Sequence, residues 1–281
     1  MQDKPLISKK HGRTVNDESL VYSNKLAKSN NFQSFINMIK LYIGNAYMSI
    51  PNTFSYTGFI GGIVLFSVVG AINCYTMLQI LYISDRHHGV PSYSELGNRI
   101  YGQKGKLLIA VSIWIMQLSC CISYLYFIGA QVQQIVSHYT EFDVGRNFYI
   151  LLLTLPALPI CWIETYTSLS YLSVSAIAAA IAAMICIFYY CMDMLIEGTS
   201  VQGDINYFNL GGIFGHIGVA MFVFEGNACV VNIRDESIDK QSFPRVLTAG
   251  VFSTLALFVV FGTVAYLAFL DQSNPIISTN L

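Results

Sequence analysis

Charged side chains are scarce in this sequence. Its 281 residues include 15 Lys or Arg and 16 Asp or Glu, which is 11% of the chain, whereas soluble globular proteins carry about 25%. An ordinary soluble domain is therefore excluded. The sequence also lacks a C-x-x-C pair, zinc-ligand spacing and a basic arm, so we expect no metal site, no cofactor and no nucleic-acid partner. The seven cysteines lie in or beside apolar tracts and are expected to be small core residues.

Long tracts without a charged residue dominate the chain. A helix needs about 20 apolar residues to cross a hydrocarbon layer of ~30 Å, with every backbone polar group bonded inside it. The sequence predicts an all-α, polytopic helical membrane protein embedded in a lipid bilayer, with a polar cytoplasmic tail at 1–31 and a transmembrane domain at 32–281. Seven transmembrane helices are predicted, at about 32–50, 59–84, 107–136, 148–162, 169–192, 208–233 and 243–270.

The loops between these spans predict the orientation. Residues 50–58, which contain Pro51 and Gly58, are interpreted as a turn that divides the first two spans. With the N-terminus inside, the cytoplasmic segments hold thirteen Lys or Arg and the external loops hold one, Arg146. Because positive residues concentrate in cytoplasmic loops, we expect a cytoplasmic N-terminus. Vacuolar or lysosomal membranes and the plasma membrane are all compatible with this count.

Glu225 is an ionisable residue inside a predicted span. It belongs to the segment Phe224-Glu225-Gly226-Asn227. A charge at this depth is costly unless it faces a cavity, a partner or a pathway, and the following glycine permits a helix break. We expect Glu225 to be functional, the alternative being a buried glutamate bonded to a neighbouring helix. His216, in the same span, is either a second proton-coupling candidate or a hydrogen-bonded core histidine.

The first span carries a similar break signature. Small and polar residues interrupt its apolar run between Ile43 and Pro51. Breaks in the first and sixth spans form a pair, because transporters built from inverted repeats place a discontinuous helix first in each repeat and bind substrate between the half-helices. The sequence thus predicts the first part of a 5+5 inverted-repeat transporter fold with broken helices 1 and 6.

Five short motifs, in order along the chain, carry a family resemblance. They are Lys40-Leu41-Tyr42-Ile43-Gly44 with Pro51, Tyr93-Ser94-Glu95-Leu96-Gly97 with Tyr101-Gly102, Gln117-Leu118 with Cys121, Tyr124 and Phe127, Phe222-Val223-Phe224-Glu225-Gly226, and Tyr266-Leu267-Ala268-Phe269. Together they resemble the amino acid/auxin permease family, most nearly its vacuolar and proton-coupled amino acid transporter branches. The resemblance runs from about Phe32 to the last residue.

The resemblance implies alternating-access transport of small amino acids, commonly by proton symport. It places a substrate pocket between spans one, three and six. Carried over by position, Gly44, Asn45 and Ala46 would form the unwound part of span one, whose backbone N–H groups receive the substrate carboxylate. The substrate-binding candidates are Ile43, Gly44, Asn45, Ala46, Tyr47, Tyr124, Phe224, Glu225, Gly226 and Asn227. Glu225 and His216 are the candidates for coupling to protons.

Two features depart from the family pattern. Asn45-Ala46 replaces Thr-Gly, which adds a Cβ where the family leaves the backbone open. The family also has about eleven spans in two repeats, against the seven predicted here. We therefore interpret the chain as truncated, so that it is either a fragment of a longer product or completed by a partner chain.

Three classes of function are compatible with a membrane protein of this kind. The leading hypothesis is secondary active transport of amino acids. The alternative is a non-transporting membrane subunit, or pseudo-transporter, that scaffolds or regulates a partner. An enzyme is not expected, because the sequence shows no nucleophile–base set, metal cluster or phosphate-binding loop.

Overall fold

The computed structural model describes residues 29–87, 92–140, 145–161 and 166–280. Residues 1–28 of the predicted tail lie outside these ranges. Within them, the regular structure is helical, which confirms the predicted all-α class. The helices are α1 Asn31–Tyr42, α2 Ile50–Thr57, α3 Phe59–Arg86, α4 Tyr93–Tyr139, α5 Arg146–Cys161, α6 Tyr166–Glu197, α7 Leu210–Val223, α8 Val230–Glu236 and α9 Phe243–Phe269.

Four segments are long and apolar enough to cross a membrane. They are Phe59–Arg86, Tyr93–Tyr139, Val174–Glu197 and Phe243–Gln272. Leu210–Val223 is apolar but shorter. Helices occupy each of the seven segments predicted to span, although the count of seven transmembrane passes stays a prediction. Their length and composition identify an integral membrane protein.

The predicted turn at residues 50–58 is wrong, because most of this segment is helix α2. Pro51 lies in the first turn of α2, where its missing N–H is not needed as a hydrogen-bond donor. The polar side chains bond within the helix: the hydroxyl of Thr57 donates to the carbonyl of Thr53 at 2.8 Å. The chain turns instead at Gly58, whose φ of +84° favours glycine. The first helical segment therefore continues past residue 50 to Thr57.

The core lies between α9 and the helices on either side of it. Helix α9 packs against α1, α2, α3 and α6, and α7 packs against α2 and α3. Phe224 is at the centre, with its ring centroid 5.8 Å from that of Tyr42, 6.4 Å from that of Phe66 and 5.9 Å from that of Phe258. These interlocking aromatic rings hold α1, α3 and α9 around the end of α7.

Helices α4 and α5 form a second, looser unit. They pack mainly against each other. Helix α4 is kinked at Gly102, so that its first turns fold back and Lys106 reaches Glu95 at 3.0 Å. It meets the core helices near the unwound chain after α1 and at the 3-10 turn Ile277–Asn280. The bundle and the α4–α5 pair therefore enclose the space between them.

Candidate functional site

The first helix break separates α1 from α2. Helix α1 ends at Tyr42, and a 3-10 turn, Ala46–Ser49, leads into α2. Between them, the N–H of Gly44 donates to the carbonyl of Tyr42 at 3.0 Å, so the α-helical pattern is lost here. The chain is unwound where the sequence predicts it to be. The N–H groups that open the new turn have no carbonyl of a preceding helical turn to bond.

The second break separates α7 from α8. The N–H of Glu225 donates to the carbonyl of Phe222 at 3.3 Å, and the next backbone bond runs from Cys229 to Gly226 at 3.0 Å. The two breaks lie side by side. A Cβ on Gly226 would lie 2.4 Å from the Cδ2 of Leu41, near the end of α1, so only glycine permits this approach.

Helix α4 closes on the first break from the opposite side. The side-chain amide of Asn45 donates to the Ser123 hydroxyl at 3.4 Å. The Tyr124 hydroxyl is hydrogen-bonded to the backbone of Asn45. A Cβ on Gly44 would lie 2.7 Å from the Tyr124 hydroxyl oxygen. Glycine at position 44 is therefore required for α4 to contact the unwound chain this closely.

A cavity of about 320 Å³ lies beside this contact. Its volume falls at the small end of the roughly 300–1,000 Å³ typical of small-molecule pockets. Hydroxyl and amide groups stand on one side and apolar side chains on the other. The lining residues are Asn45, Ala46, Ser49, Ser123, Tyr126, Phe127, Gly218, Val219, Phe222, Pro275 and Ile276.

Glu225 is half-buried at the second break. Its carboxylate interacts electrostatically with the Tyr42 hydroxyl, with Cys120 on α4 and with Cys229. Among the described residues, no cationic side chain lies within salt-bridge distance of it. The carboxylate therefore faces α4 between the two units rather than being neutralised in the bundle. No cluster of three metal-ligating side chains occurs in the described ranges.

The structure brings some predicted site residues to the cavity and places others elsewhere. Asn45 and Ala46 line it, and Gly44 and Tyr124 lie at its edge. Ile43 is buried. Tyr47 is buried too, and its hydroxyl donates to the carbonyl of Ala180 at 3.1 Å.

The residues of the second break surround Glu225 without lining the cavity. Phe224 and Gly226 are buried in the bundle. The amide oxygen of Asn227 accepts a hydrogen bond from Thr76 at 3.5 Å. His216 lies about two helical turns before the break. It stacks on Tyr56 with ring centroids 4.5 Å apart, and its Nδ1 is 3.2 Å from the carbonyl oxygen of Gly212.

Several lining residues were missed from the sequence. Ser123, Tyr126 and Phe127 lie on one face of α4, at the spacing that places residues on one side of a helix. That stripe of polar and aromatic residues was a usable signal. Pro275 and Ile276 lie beyond the end of α9, and no local pattern indicates that they return to α4.

These features define a polytopic helical membrane protein whose interrupted helices meet beside a small-molecule cavity. The chain belongs to the transmembrane amino acid transporter family, whose sequence pattern matches residues 27–281. The resemblance inferred from the motifs is thereby confirmed. No solved structure matches the chain.

The individual relatives are distant and longer than this chain. The chain is 28% identical over 257 residues to Amino acid transporter ANT1 of Arabidopsis thaliana, a match that covers 89% of this chain and 59% of the relative. Amino acid transporter AVT3B of the same plant is 28% identical over 268 residues, or 90% and 64% of the two chains. Vacuolar amino acid transporter 4 of Saccharomyces cerevisiae is 25% identical over 251 residues, or 88% and 35%. The chain thus spans between about a third and two thirds of these relatives.

Proposed function

We propose that this chain takes part in secondary active transport of amino acids across a membrane. The observation that carries the proposal is the meeting of two helix breaks beside a cavity of about 320 Å³. Unwound peptide groups offer hydrogen-bond donors and acceptors to a zwitterion in a place where lipid offers none. The relatives named amino acid transporters support transport over a non-transporting role.

The substrate carboxylate is received at the first break. The N–H groups at the start of the turn Ala46–Ser49 point toward an incoming anion. Asn45, held by Ser123, fixes the unwound backbone against α4. The Ala46 side chain forms part of the cavity wall and narrows it, which favours small amino acids.

Glu225 couples transport to protons. It lies between the bundle and α4, where a carboxylate is least costly when it binds a proton or faces a cation. The proton-loaded and unloaded forms then favour different distances between the two units. Alternating access is then a rocking of the core helices against α4 and α5, within an inverted-repeat plan whose first elements are the two broken helices.

The N-terminus lies on the cytoplasmic side, as the distribution of positive residues predicts. A vacuolar membrane is the preferred location, because one relative is named a vacuolar amino acid transporter. Small amino acids and protons are the proposed ligands.

Uptake into proteoliposomes tests the proposal. The full chain is reconstituted, and uptake of tritiated L-amino acids is measured with and without an imposed pH gradient. Glu225→Gln keeps the shape of the side chain and removes its titration, so we expect it to abolish the stimulation by the gradient. Glu197→Gln is the matched control, because Glu197 is exposed at the end of α6. Absence of uptake by the wild type, or a gradient response that survives in Glu225→Gln, would overturn the proposal.

A further inference from the structure

A second cavity adjoins the candidate site. It measures about 470 Å³ and shares Tyr126, Pro275 and Ile276 with the first cavity. Because the same side chains form walls of both, a ligand that leaves one cavity past Tyr126 enters the other. The second cavity is the more polar, since Gln133, Ser137 and other hydrogen-bonding side chains line it.

The two cavities extend along one face of α4. Ser123, Tyr126, Ala130, Gln133 and Ser137 repeat at intervals of three and four residues, which places them in a row along the helix. Fourteen residues from Ser123 to Ser137 correspond to about 21 Å along the helix axis. The second cavity therefore leads from the unwound segment to the end of α4 next to the start of α5. We call it the vestibule.

Arg146, the first residue of α5, supplies a positive charge to the vestibule. Its guanidinium donates to the Tyr126 hydroxyl, and its Nε donates to the Oε1 of Gln133 at 3.3 Å. The guanidinium carbon also lies 4.9 Å from the centroid of the Tyr126 ring. These contacts aim a half-buried cation into the cavity.

The partners of Arg146 are neutral. Within the described ranges, no carboxylate lies within salt-bridge distance of it. A carboxylate accepts two parallel hydrogen bonds from a guanidinium, and such charge-assisted pairs are about twice as strong as hydrogen bonds between neutral groups. An incoming carboxylate can therefore take the place of the neutral oxygens. Doing so frees the Tyr126 side chain, which stands between the vestibule and the candidate site.

We propose that the vestibule is a binding site for the α-carboxylate of an amino acid, with Arg146 as the residue that binds it before the substrate passes Tyr126. The inference rests on the proposed function, because it assigns an entry site to the same transport path. Arg146 is the one Lys or Arg in the predicted external loops, so it also selects for the carboxylate among arriving solutes.

Transport kinetics provide the first test. Uptake of tritiated L-alanine by proteoliposomes is measured for wild type, Arg146→Gln, Arg146→Lys and Arg245→Gln. We expect Arg146→Gln to raise KM about tenfold with little change in Vmax, because a charge-assisted interaction is lost only at entry. Arg146→Lys keeps the charge without the fork and should fall between. Arg245 is an exposed cation at the start of α9, so its substitution should leave KM unchanged. An unchanged KM in Arg146→Gln, or an equal rise in Arg245→Gln, would overturn the inference.

Chemical protection provides a second test that needs no transport. Phenylglyoxal modifies guanidinium groups, and mass spectrometry of the peptide that contains Arg146 gives the rate. L-alanine should slow modification of Arg146, whereas L-alaninamide, which lacks the carboxylate, should not. Arg245 provides the internal control. Protection without uptake would retain the vestibule and reject the transport proposal; uptake without protection, or no reaction of Arg146 in ligand-free protein, would reject the vestibule.

Discussion

Adding one carbon atom at Gly44 perturbs the contact between the first helix break and α4. In Gly44→Ala, the new Cβ lies 2.7 Å from the Tyr124 hydroxyl oxygen, so the two must separate by about 0.7 Å to reach ordinary contact. A strained tyrosine rotamer costs about 0.5–1.5 kcal/mol, and loss of its hydrogen bond to Asn45 about 1 kcal/mol. We expect a destabilisation of about 1–2 kcal/mol and a fall in uptake of about five- to thirtyfold.

A double-mutant cycle isolates this contact. Tyr124→Phe removes the hydroxyl, so Gly44→Ala should cost less in that background, with a coupling of about 1 kcal/mol. The assays are thermal unfolding of the purified protein in detergent and initial uptake rates in proteoliposomes. Gly215→Ala is the control, since no atom lies within 4 Å of the Cβ that it adds. Additive effects of the two substitutions would refute the reasoning.

Two further predictions concern stability. Gly212→Ala places a Cβ 1.9 Å from the carbonyl oxygen of Tyr56, so α7 must move from α2, and we expect a loss of about 2–3 kcal/mol in thermal unfolding, with Gly215→Ala again as the control. The side-chain and backbone hydrogen bonds from Ser242 lower the pKa of Asp239. Its stabilisation is therefore full above the unfolded pKa of about 3.9 and is lost as pH falls through the folded pKa. Wild type should lose stability relative to Asp239→Asn in melts taken through that acidic window; parallel curves would contradict this.

Local chemistry predicted the positions where the chain unwinds. Gly44 and the pair Glu225–Gly226 were readable because glycine and a buried charge both disfavour an uninterrupted apolar helix. Pro51 led to the wrong prediction of a turn, because a proline in a first helical turn has the same local composition as a proline in a loop. The two cases differ in the residues after the proline, which here are Ser and Thr whose hydroxyls bond back into the helix.

The walls of the cavity were less predictable than the breaks. Tyr47 is one residue from the cavity-lining Ala46, yet its side chain is directed into the core toward Phe261, with ring centroids 5.6 Å apart. Side-chain direction in a short unwound segment depends on tertiary packing, which residue spacing does not encode. Pro275 and Ile276 reach the cavity only because the chain returns over α4 after α9. Such long-range contacts have no local signature.

The most direct test of the central claim is whether an amino acid occupies the first break. Ala46→Cys places a thiol on the cavity wall, and its labelling by a membrane-impermeant methanethiosulfonate reagent is measured by mass spectrometry, with wild type showing the background from the native cysteines. We expect an amino acid accumulated by the vesicles to slow labelling at position 46 in proportion to its occupancy. A labelling rate that is the same with and without every accumulated amino acid would contradict the claim.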